Sequence, residues 1–229
     1  MPPSFPRPWG ITPVSEPLLL PDGRHLGCGF VHHIPGGLPS CAREAYINLA
    51  WVDYALAQCR LRVQNDRESD ALRCLINDAQ HRVMSVTEWR DISDQAAAKY
   101  DAGFYECARL CVVIYSCAVV FSYPTRDRWH IKLCRRLQLV MQLSAISQWL
   151  DGATPFLVWC LMVANMAAFQ YEQRTYFQDA LRTVLRKHKL GCWSEVRIML
   201  LDFVWSDSAC AKGAMWVWDR VAPDPPPSE

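Results

Sequence analysis

Between Cys192 and Val221 the chain reads CWSEVRIMLLDFVWSDSACAKGAMWVWDRV, the stretch that most restricts the fold. Trp193, Val196, Leu200, Phe203 and Val204 recur at the helical period and form one stripe, with Glu195, Asp202 and Ser206 opposite. A helix with one apolar stripe persists in water only when another element covers it. The run Ser206-Asp207-Ser208 then supplies two residue types that cap helices, and a second helix follows, carrying Trp216 and Trp218. Indoles so placed are expected to close a hydrophobic core.

The same period recurs along the chain. Residues 1–40 are set apart by Pro2, Pro3, Pro6, Pro8, Pro13, Pro17, Pro21, Pro35 and Pro39, which exclude continuous helix and predict an extended Pro/Gly-rich arm. From Arg43 to about Arg62 a helix carries Tyr46, Ile47, Leu49, Trp51, Val52, Tyr54 and Leu56, too apolar on all sides for a surface position. A helix after the capping types Asn65 and Asp66 places Leu72, Leu75, Ile76, Ala79, Val83 and Val86 on one face. A third, from about Asp101 to Ser122, is stopped by Pro124. Next comes a basic amphipathic helix over about Asp127 to Leu150, with Trp129, Leu133, Leu137, Val140 and Met141 inside and Arg128, Lys132, Arg135 and Arg136 outside. Thr154-Pro155 marks a start in which threonine caps and proline takes the first helical position. That helix runs to about Phe169, and another spans about Glu172 to Lys189, with basic residues in its last turn and Gly191 beyond.

These patterns predict an all-α fold of about seven to nine helices, organised as the arm 1–40, a helical domain 41–221 and a disordered Pro-rich tail 222–229. Hydrophobic residues make up 51% of the 229, against 21% charged, enough apolar surface for one sizeable core.

Several function classes lose support. A net charge of +1 gives no general attraction to a polyanion. The opening MPPSFPRPWG lacks the apolar run of a signal peptide, so the cysteines are expected to stay reduced. Most of them, including Cys59, Cys74, Cys107, Cys111, Cys117, Cys134 and Cys160, lie in helical patterns where a thiol packs as a small apolar group. His25, Cys28, His32 and His33, with Cys41 further on, are zinc-binding residue types, but their spacing matches no finger, and a glycine-rich loop with incidental histidines is the simpler reading. Gly36-Gly37 lacks the lysine and hydroxyl residue of a phosphate loop and reads as a turn. No nucleophile elbow, His-Glu-x-x-His helix or dinucleotide fingerprint occurs, so neither catalysis nor a cofactor or metal is expected. The cations Arg128, Lys132, Arg135, Arg136, Arg182, Arg186 and Lys189 have no interleaved aromatic platforms and read as solvated helix faces. Two uncharged runs, Gly152 to Tyr171 and Leu110 to Thr125, leave a membrane hairpin as an alternative, although Pro155, Asn165 and Gln170 interrupt the first.

The segments 152–177 and 193–221 resemble the C-terminal part of the fungal-specific transcription factor domain, the helical regulatory region that follows a binuclear zinc cluster in fungal regulators. The matching residues occur in the family's order: Trp159; Glu172 with Tyr176 and Phe177; Trp193, Glu195 and Val196; Phe203 and Trp205; Cys210; and Trp216 or Trp218. FYECARLCVVIYSCAVVFSYP is similar to the family's Tyr-Glu-x-x-Arg segment through Tyr105, Glu106 and Arg109. Ala211 and the pair Thr175-Tyr176 depart from the family pattern. The resemblance spans roughly Asp101 to Val221 and implies structural roles for its motif residues, a nuclear place in transcriptional control, and other transcription proteins or a small-molecule effector as partners. A homodimer is compatible with it, and a helical small-molecule-binding domain is the further alternative. The zinc cluster itself is not expected within this chain, which contains no Cys-x2-Cys, so direct DNA contact by this chain alone is not expected either.

Overall fold

The two most apolar stretches of the sequence become the two innermost helices of a computed structural model that describes residues 18–19, 25–60, 66–92, 99–121, 128–144 and 152–223. Among the described residues the fold is all-α, with nine α-helices and one two-stranded ribbon. The ribbon pairs β1 (Leu18–Leu19) with β2 (His25–Leu26) in antiparallel register, Leu18 opposite Leu26. A short α1 (Gly29–His32) follows, then the long pair α2 (Ser40–Arg60) and α3 (Asp66–Met84) and a 3-10 turn at Trp89–Asp91.

Helix α4 (Ala102–Tyr115) starts where the Asp101 carboxylate accepts a hydrogen bond from the Phe104 amide, and it ends by widening into a π turn over Ser116–Val120. The remaining helices are α5 (Arg128–Leu143), α6 (Thr154–Ala167), α7 (Gln173–Lys187), α8 (Trp193–Leu201) and α9 (Asp207–Val221). Helix α6 is the hub, packed by α4, α5, α7, α8 and α9, which is why its sequence is apolar on every side. Helix α4 lies against α3, α5 and α6 in the same way. The stretch Ala102–Val120 is long and apolar enough to cross a membrane, and 83% of it is buried against the rest of the protein. The other uncharged run yields the shorter apolar helix α6.

Several expectations shift. The segment 25–39, placed in the arm by its prolines, sends Leu26, Phe30, Ile34 and Leu38 into the core, and the glycines at 36 and 37 take φ of 74° and 75° in the turn between them. Apart from Leu18–Leu19, residues 1–24 of the arm lie outside the described residues, as do Asn65, Pro124 and most of the tail. In α3 only Ala79 and Val83 of the expected face are buried, with Val86 just beyond the helix, while Leu72, Leu75 and Ile76 are half-covered. Thr154 does not cap α6: the N-cap is Ala153, and the threonine hydroxyl lies 3.0 Å from Nε2 of His188.

The terminal indoles pack, partly buried, against the edge of the core without entering it. In α9 the inward positions are Cys210, Ala214, Val217 and Val221, spaced one helical turn apart, which leaves Trp216 and Trp218 on the flanks. Trp216 meets Phe169 edge-on at 4.5 Å, with the Arg220 guanidinium 3.8 Å from its ring centre, and Trp218 packs beside Trp193 at 5.8 Å.

Candidate functional site

The connector between α8 and α9 is buried: Phe203, Val204, Trp205 and Ser206 are each at most 6% exposed. Loops normally run over the surface, because an interior loop must find a partner for every backbone polar group. Here three distant parts of the chain supply them. The Gly29 amide donates to the Asp202 carbonyl at 2.7 Å, the Trp159 indole N–H to the Val204 carbonyl at 3.0 Å, and the Ser206 amide to the Tyr115 hydroxyl at 2.9 Å. Each leaves one buried group satisfied that would otherwise cost about 1–3 kcal/mol.

Aromatic packing holds the connector from the other side. Phe203 stacks on Trp159 with ring centres 5.1 Å apart and planes 17° off parallel, and Phe30 meets both rings edge-on. A Cβ on Gly29 would lie 2.6 Å from the Phe203 ring, so glycine is what permits α1 to come this close. Trp205 directs its indole N–H to Asp207 Oδ1 at 3.2 Å, in the first turn of α9.

Tyr115 ties the connector to α2. Its hydroxyl donates to Asp53 Oδ2 at 2.8 Å while receiving the Ser206 amide, and the Cys210 thiol donates to it at 3.8 Å. Asp53 is 4% exposed. Burial, followed by the Asp53 charge, pushes the Tyr115 phenol well above its ordinary value, and burial raises the Cys210 thiol to about 12. Both therefore remain protonated donors near neutral pH. A cavity opens on each side of this node. One, about 160 Å³, is lined in part by Tyr115, Met166, Cys210 and Gly213; the other, about 230 Å³, by Asp53, Gln58, Trp205 and Ser206.

The Cys/His cluster considered from sequence does not assemble. Cys28 donates to Asp202 Oδ1 at 3.5 Å and His33 Nε2 lies 3.4 Å from Oδ2 of the same carboxylate, whereas His25, His32 and Cys41 are exposed. Burial first, and then the Asp202 charge, raise the Cys28 thiol to about 11, the opposite of an activated nucleophile. Among the described residues no group of three or more His, Cys, Asp or Glu side chains is placed to hold a metal ion.

The motif residues fall into five groups. Trp159, Phe203, Trp205 and Cys210 form the buried clasp with Tyr115, Asp53 and Gly29. Glu106 and Arg109 pair side by side at 2.7 and 2.9 Å, one turn apart on α4, and Arg136 of α5 bridges Glu106 to Glu88. Phe177 and Val196 are core residues, Trp193, Trp216 and Trp218 form the outer seam, and Glu195 is exposed in the first turn of α8, where a negative charge suits the helix end. Tyr115, Asp53, Gly29, Ser206 and Asp202 are site residues that the sequence patterns do not mark; the signal for Asp53 is a carboxylate set in the apolar run 49–56 of α2.

Comparison with known proteins gives no match for this chain among family models, curated proteins or solved structures.

Proposed function

We propose that this chain is the all-helical regulatory region of a fungal transcription-factor-like protein. It acts in the nucleus through contacts with other transcription proteins or by sensing a small effector, without catalysis and without a DNA-reading module of its own. The observation that carries the reading is the ordered run of motif residues from Tyr105 to Trp218, which resembles the family's helical regulatory domain. Four of those residues, Trp159, Phe203, Trp205 and Cys210, also meet in the clasp around the α8–α9 connector. A connector pinned from several elements and flanked by cavities suits a device whose packing answers to an occupant, since a ligand shifts an equilibrium only through differential contacts with its two states.

The test is a fusion of the chain to a heterologous DNA-binding module, read on a reporter in fungal cells. The fusion is expected to change reporter output relative to the bare module, and the unfused chain to give no sequence-specific gel shift at physiological salt. A fusion with no effect on the reporter across growth conditions, or sequence-specific DNA binding by the chain itself, overturns the reading.

A further inference from the structure

We infer that the cavity between the π turn, α6 and α9 is a binding site for a small uncharged molecule built on a single aromatic ring. Its volume, about 160 Å³, is close to that of an apolar cavity able to admit benzene. Among the described residues its lining carries no charged side chain.

Two of its walls are made by features that ordinary helix packing does not call for. The π turn Ser116–Val120 brings Ala118 and Val119 to the cavity, and π turns cost regular hydrogen bonding and recur at functional sites. Gly213 occupies an exposed interior position of α9, where alanine favours the helix more. A Cβ at that position would lie 3.2 Å from Met166 Sδ, so the glycine lets the Met166 side chain lie directly against α9 at the cavity wall.

The chemistry of the lining selects the occupant. Met166 from α6 and Cys210 from α9 both bring sulfur, and divalent sulfur makes favourable contacts with aromatic rings. At the inner end the Tyr115 hydroxyl is engaged with Asp53, Ser206 and Cys210, so the buried part of a ligand meets apolar surface and sulfur. At the mouth Ala209 and Gly213 are exposed, which leaves a path for one substituent to reach water. An occupant touching Tyr115 and Cys210 presses on the groups that fix the Ser206 amide and the start of α9; this coupling rests on the regulatory reading above, while binding itself does not.

The experiment is a titration of fluorobenzene with the purified full chain, followed by fluorine NMR. Saturable binding is expected for the unaltered chain. Ala209→Phe, which plugs the mouth from an exposed position, is expected to weaken it at least ~10-fold, a loss of about 1.4 kcal/mol. Ala211→Phe, on the exposed side of the same helix, leaves it unchanged. Gly213→Ala, a change the helix favours, adds a methyl to the cavity wall against Met166 and weakens binding about threefold, giving a second obstruction should Ala209→Phe unfold. Absence of saturable binding to the folded chain, or equal binding by the obstructed variants, overturns the inference. Binding without any reporter response leaves the site standing and removes the regulatory reading; a reporter response without binding does the reverse.

Discussion

Lys189 is the one described residue other than glycine with a positive φ, at 54°. It ends α7 by a Schellman arrangement: the Leu190 amide reaches back to the Leu185 carbonyl at 2.9 Å and the Lys189 amide to Arg186 at 3.2 Å. A side chain in this left-handed conformation costs about 1–2 kcal/mol, a penalty glycine escapes. Lys189→Gly is therefore expected to raise stability by about 1 kcal/mol, read as a higher denaturant midpoint with unchanged slope; an unchanged or lower midpoint refutes it. The sequence indicated a stop with basic residues and a glycine, and the stop is there, but Gly191 lies two residues past the residue that turns. Composition near a helix end reports that a turn is coming; which residue adopts positive φ depends on where Leu190, 8% exposed, must go to stay buried.

At the scale of elements, α4, α5 and the 3-10 turn are locked by four charges. Arg136 holds Glu88 through two nitrogens at 2.9 and 3.1 Å and also reaches Glu106 Oε1, the oxygen it shares with the bidentate Arg109. The Arg136 hydrogen bonds are the main cause that holds the Glu88 carboxyl below its ordinary 4.5, with Coulombic help from Arg136, Arg109 and Arg90. A carboxyl depressed on folding contributes stability that is complete above 4.5 and disappears as the pH falls through its lowered folded value. Glu88→Gln is expected to flatten the acid decline of stability below pH 4.5, measured by urea unfolding across an acid series; a curve parallel to the parent's excludes this role. Helix existence was legible in the apolar period, and the i, i+3 pairing of Glu106 with Arg109 follows from spacing alone. The clasp was not legible: Asp53 and Tyr115 are 62 residues apart, and Tyr115 and Ser206 are 91 apart. Their meeting is set by how helices stack, which no local pattern encodes.

For the whole molecule, reduced buried thiols make alkali the sensitive direction. Burial is the leading cause that raises Cys107, Cys117, Cys134, Cys160 and Cys210 above the ordinary 9.0, Cys134 to about 12. In the unfolded chain such thiols ionise above 9.0, whereas folding holds them neutral. A raised folded value means the contribution is complete below pH 9.0 and is lost as the pH climbs from there towards the folded value. Cys134 and Cys210, each held at about 12, then remove up to about 1.4 kcal/mol apiece per pH unit, and the other three act in the same direction. A urea midpoint that falls progressively as the pH rises above 9.0, in the presence of reductant, is accordingly expected. Cys134→Ala opens a small cavity and lowers stability at neutral pH, yet it must also reduce the alkaline slope by about 1.4 kcal/mol per pH unit. That change of slope separates titration from packing, since a purely steric role shifts the whole curve and leaves its steepness above pH 9.0 unaltered.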